Sequence, residues 1–264
     1  IGLVVFMLVR SNRIYRNKEA EEKEANQFEL MMQSADPLMV WDMLRKHVSR
    51  TQSFVCRFAL TQFDNVLDGL VGERLNLLSH ARKELDAEQE MLTKFRRKEM
   101  LALRRVPAEV ALERNTWYHM GADSDRQFIY CLRRMLDPIH EHVDNNFSPL
   151  PDECLEELKQ LRRHVSELMS RSEAMLSTGR FDEYKDILAD AGRLKDELGT
   201  MRKRHYDRMQ NDSGTGGLKA ALLYLNILQE AREFVSIMRH QLRAGARFYG
   251  QVRSDSPNME KAAK

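Results

Sequence analysis

Apolar residues recur at helical spacing along most of the chain. Val40, Leu44, Val48, Val55 and Phe58 fall at steps of three, four and seven, so they share one face of a helix. Leu75, Leu78, Ala81, Leu85, Leu92 and Phe95 make a second seam, close to a heptad. Phe128, Leu132, Met135, Ile139 and Val143 make a third. Three more stripes follow. Leu155, Leu158, Leu161, Val165, Leu168, Ser172 and Met175 form the first. Tyr184, Ile187, Ala191, Leu194, Leu198, Met201 and His205 form the next, and Tyr224, Leu228, Ala231, Val235, Met238, Leu242 and Tyr249 the last. No stretch alternates with period two for long enough to predict a strand.

Breaks divide the stripes into two sets of three. Asp36-Pro37 marks a boundary, because a residue before proline avoids the α region. Gly69 and Gly72 loosen the end of the first element, and Pro107 sits in a connection. NNFSPLP, residues 145–151, is the clearest break, since Pro149 and Pro151 cannot continue a helix. Asp152 and Glu153 then favour a helix start at the positive end of its dipole. NDSGTGG, residues 211–217, reads as a loop. The expectation is an all-α protein with six long helices in tandem three-helix bundles, residues 37–147 and 152–250, and a disordered tail over 251–264.

The start of the chain breaks this pattern. Residues 1–9, IGLVVFMLV, are apolar throughout, and Arg10, Arg13, Arg16 and Lys18 follow at once. Nine helical residues reach only about 13 Å, short of the roughly 20 residues that a bilayer crossing needs. A signal peptide carries its cations before the apolar run, whereas here they come after it. The order fits the cytoplasmic end of a truncated transmembrane helix, with the four cations against inner-membrane lipid. Residues 10–36 then read as a basic juxtamembrane segment and a linker helix.

Composition narrows the choice of function. With 42 Lys and Arg against 40 Asp and Glu, the net charge of +2 argues against a nucleic-acid partner. Three scattered cysteines without a C-x-x-C suggest buried thiols in a reducing compartment. There is no nucleophile elbow, P-loop, Rossmann glycine pattern or H-E-x-x-H, so no enzymatic role is expected. DPIHEHVD, residues 137–144, is the densest cluster of metal-ligating residue types. Asp137, Glu141 and Asp144 share a helix face that points away from the core stripe, with His140 beside them. They are candidates for one weak divalent metal ion, and no other cofactor is implied. KFRRKEMLALRR, residues 94–105, and MRKRHYDR, residues 201–208, read as exposed faces of charged helices.

Two segments carry a family resemblance. DELGTMRKRHYDRMQ, a Gly-rich loop and LKAALLYLNILQEAREFVSIMRH resemble the last hairpin of PhoU-like domains. FIYCLRRMLDPIHEHVDNN resembles the equivalent helix of the first half, and the six-helix layout fits over residues 37–250. IGLVVFMLVRSNRIYRNKEAEEKE resembles the exit from the last membrane helix of a Pit-type inorganic phosphate permease. The resemblance implies a cytoplasmic regulatory domain of an inner-membrane transporter that takes up inorganic phosphate with protons or sodium. Its partners would be its own transmembrane domain, membrane lipid and, through the absent transport domain, phosphate. A homodimer stays open. PhoU proteins hold metal through E-x-x-x-D on the third helix of each bundle. Asp137 and Glu141 match that spacing with the acids exchanged, while Arg232/Ser236 or Glu230/Phe234 in the second half depart from it. Two alternatives are a soluble PhoU-like adaptor in phosphate signalling and a helical scaffold unrelated to phosphate.

Overall fold

The computed structural model describes residues 26–211 and 217–250. A short helical segment at 26–33 precedes six long helices, and the described residues contain no strand. The helices are α1 (Pro37–Val71), α2 (Leu75–Leu103), α3 (Ala108–Asp144), α4 (Asp152–Thr178), α5 (Tyr184–Asn211) and α6 (Leu218–Phe248). The expected truncated membrane helix, Arg10, Arg13, Arg16, Lys18 and the tail lie outside the described residues.

Local chemistry sets the helix ends. Asp36 caps α1 by accepting a hydrogen bond from the Leu38 amide at 2.9 Å, and Pro37 begins the helix where no N–H is needed. Glycine ends α1 at Gly72 and α4 at Gly179, which takes a left-handed φ of 66° as its amide bonds back to Met175. A methyl group at Gly69 would overlap the Leu78 side chain, so glycine lets α1 and α2 approach closely there. Pro138 lies inside α3, at the cost of one backbone hydrogen bond.

The two halves pack through equivalent helices. The most extensive contacts join α3 to α6, and the next join α1 to α4. These four helices form the middle of the molecule, with α2 outside α1 and α3, and α5 outside α6 and α4. One hydrophobic core therefore runs through both halves, from Phe63 and Leu78 to Leu198 and Leu228. Its centre is aromatic. The Phe234 ring on α6 lies 5.2 Å from that of Phe63 on α1 and 4.9 Å from that of Phe128 on α3. Polar ties flank the α1–α4 contact. Ser49 donates to the Leu176 carbonyl at 2.6 Å, and Arg162 bonds Asp64 at 2.7 Å and Asp68 at 2.5 Å.

A second core cluster closes one end of the molecule. Phe28 and Met31 of the 26–33 segment are buried there with Val40, Leu44 and Val48 of α1, the end of α2, Tyr118 of α3 and Phe248 of α6. Burying two such side chains contributes about 1.5–3 kcal/mol each.

Candidate functional site

The 26–33 segment is held by polar contacts as well as apolar ones. Arg105 donates to the backbone carbonyls of Met32 and, at 3.0 Å, of Ser34. Met32 lies in the last turn of the short helix and Ser34 just beyond it, where carbonyls lack intrahelical donors, so a cation suits them. Arg50 donates to Gln27 at 2.6 Å, and the Lys98 ammonium lies 5.3 Å from the centre of the Phe28 ring.

A buried polar seam begins directly beneath. His47 on α1 meets the Phe28 ring edge-on at 4.5 Å, and its Nε2 lies 3.0 Å from Glu99 Oε1 on α2. The other Glu99 oxygen accepts from the Tyr118 hydroxyl on α3 at 2.8 Å. Burial, and then the Glu99 charge, raise the Tyr118 phenol far above its usual range, so it stays a donor. Deeper in, Gln241 on α6 donates to Asp125 Oδ1 on α3 at 2.5 Å and accepts from the Cys56 thiol on α1 at 3.1 Å. Burial pushes the Asp125 carboxyl up to about 8. The Gln241 hydrogen bond works against that shift, while Glu99 and Glu88 add to it. Burial, aided by Glu84, likewise raises Glu88 to about 8. At neutral pH both carboxyls are therefore mostly protonated, which removes the cost of burying their charge.

The second half has a smaller polar centre. Glu157 on α4 accepts from Tyr224 on α6, from Arg204 at 2.9 Å and from Arg208 at 3.1 Å, both on α5. His205 Nε2 lies 3.2 Å from the Ala221 carbonyl, so it donates there and leaves Nδ1 as the acceptor facing Cys154, 3.9 Å away. Burial raises the Cys154 thiol to about 11, and it raises Cys56 and Cys131 well above the usual value. All three thiols stay protonated at neutral pH, and the thiolate is the nucleophilic form.

The candidate metal residues do not converge, with Asp137 exposed and His140 half-buried. Asp137 pairs with Arg82 at 2.6 Å, and His140 Nε2 lies 3.0 Å from Ser79 Oγ. Glu141 and Asp144 are exposed on the same helix. Among the described residues, no group of three or more His, Cys, Asp or Glu comes together to hold a metal ion.

Two parts of the site lie in places that patterning alone misjudges. The basic stretch 94–105 is not simply an exposed face, since Glu99 within it is buried and Arg105 clamps the docked segment. Asp125 and Gln241 are polar residues beside apolar stripe positions. That interruption is the one signal that could have exposed them. Among the described residues, no helix is long and apolar enough to cross a membrane. No known protein family matches the chain, and no curated protein matches it either.

Proposed function

We propose that the chain is the cytoplasmic regulatory domain of a membrane inorganic phosphate transporter, with the transport pathway outside it. One observation supports the reading most. The segment just after the apolar-then-basic start is buried in the bundle's own end core and clamped by Arg105, through a segment continuous with α1. A movement of the preceding chain would pull on α1, α2 and α3 together. The buried seam from His47 through Glu99 and Tyr118 would carry that pull inward. The domain acts by coupling and does no chemistry of its own. The resemblance of residues 37–250 to PhoU-like domains supplies the link to phosphate.

The test uses the full-length transporter in cells. Deleting residues 37–250 should leave the transport pathway in place and change phosphate uptake or its response to external phosphate. Arg105→Glu should shift uptake in the same direction with the bundle still folded. Uptake unaffected by the deletion at both low and high phosphate would defeat the reading. So would labelling of a cysteine at position 30 from outside the cell.

A further inference from the structure

Helix α5 carries very different electrostatics on its two flanks. The flank facing α4 is closed by opposite charges. Arg171 meets Asp190 at 2.8 Å, His164 lies 3.4 Å from Glu197, and Arg204 reaches Glu157. The flank facing α6 carries Gly192, Lys195, Gly199 and Arg202, and Arg202 reaches across to Gln229 at 2.7 Å. Opposite them on α6, Arg232, Ser236, Arg239 and Arg243 recur at helical spacing along about 16 Å. Among the described residues, no ion pair reaches Lys195, Arg232, Arg239 or Arg243. The Arg239 Nε is buried with no hydrogen-bond partner. A side chain at Gly192 or Gly199 would meet only open space, so both glycines leave the groove clear beside Lys195.

We propose that the groove between α5 and α6 binds the linked phosphate groups of a small polyanion, an inorganic oligophosphate or a nucleotide. Arginine forks and a lysine match phosphate oxygens, and several cations in a row suit several linked phosphates better than one. The cations crowd one another. Burial, then Arg239 and Arg232, lower Lys195, while burial, then Arg243, lower the neighbouring His240. Glu233 counters them there. A bound polyanion would relieve that repulsion. A protein segment or a lipid surface fits less well, because both need apolar anchors. None of the large exposed apolar side chains among the described residues lies within residues 192–202 or 229–243. The inference does not depend on the transporter reading.

Titration calorimetry of the full chain in mild detergent, first with tripolyphosphate and then with ATP, tests it. Binding should be seen at low salt and weaken steeply between roughly 50 and 200 mM salt. Lys195→Ala and Arg239→Ala should each weaken it about tenfold, the equivalent of about 1.4 kcal/mol. Lys195→Glu should abolish it. Arg133→Ala, which breaks the pair with Asp86 in the equivalent seam of the first half, should leave it unchanged. Preference for ATP would identify a nucleotide, and preference for tripolyphosphate an oligophosphate. The proposal is overturned if neither ligand binds at millimolar concentration, or if Arg133→Ala weakens binding as much as Arg239→Ala. It is also overturned if phosphatidylglycerol vesicles capture the chain through Lys195 and tripolyphosphate cannot compete.

Discussion

The α2–α3 seam and the α5–α6 seam occupy equivalent places in two halves with the same helix order, yet they are closed differently. Along α2–α3, side chains pair across the helices at every turn or so. Ser79 meets His140, Arg82 meets Asp137, Asp86 meets Arg133, and Gln89 meets Tyr130. Along α5–α6 the corresponding flank is glycines and cations, with Lys195 near Arg239, Arg232 and Arg243, and Arg202 with Gln229 as a polar pair at one end. Apolar burial holds both pairs of helices together. The apolar stripe thus fixes where a helix lies, while the flanking charges remain free to serve something else. The interior differs in the opposite sense. The first half buries carboxyls at Glu88, Glu99 and Asp125, whereas in the second half Glu157 is ringed by donors and the buried Glu230 pairs with Arg134 of the first half at 2.8 Å.

The strongest challenge to treating the halves as a pair is to break the contact between them. Phe234→Ala should cost about 3–5 kcal/mol, because it opens a cavity between Phe63 and Phe128. One cooperative thermal transition should persist at lower temperature. Two separate transitions would mean that the halves fold independently.

The buried carboxyls come next in size. A carboxyl that titrates near 8 when folded and near 3.9 when unfolded holds its proton in the folded state only. Its contribution is therefore complete below about pH 4 and is lost as pH rises through about 8. Stability should fall from pH 5 to pH 9 by an amount on the order of several kcal/mol. Asp125→Asn keeps an acceptor for Gln241 and has no proton to lose, so it should flatten much of that slope in urea melts. A slope unchanged in Asp125→Asn would place the titration elsewhere, with Glu88 the next group to replace.

Arg105→Ala should cost about 1.5–3 kcal/mol, the range for hydrogen bonds to charged groups. Amide exchange at Phe28 and Met31 should speed up while α5 stays protected. Equal acceleration in both places would show that the clamp supports the whole bundle and not the docked segment alone.

The two seams should give the smallest effects, of opposite sign. Arg82→Ala removes an exposed pair with Asp137 and should cost less than about 1 kcal/mol. Lys195→Gln relieves repulsion and should be neutral or stabilising by a few tenths of a kcal/mol at low salt. A clear loss of stability in Lys195→Gln would mean that the lysine has a structural partner.

Much of the layout follows from the sequence alone. The core residues Leu44, Leu85, Leu132, Leu161, Leu198 and Leu228 are readable from spacing, because a period of 3.6 is written locally and each helix must bury one stripe. The breaks at Pro107, residues 145–151 and Gly179 are equally local, since they depend on missing donors or positive φ. Tertiary structure decided what those stripes could not. Whether Arg105 meets water or the carbonyls of Met32 and Ser34 depends on where a segment some seventy residues earlier docks. Asp125 and Gln241 stand 116 positions apart and are polar residues near a core stripe until α3 meets α6. Asp137 has Arg82 as its partner because of the relative offset of α2 and α3, while Lys195 faces arginines because of the offset of α5 and α6. Hydrophobic burial is nearly blind to such small rotations and shifts. Hydrogen bonds and ion pairs depend on them at the scale of a single ångström.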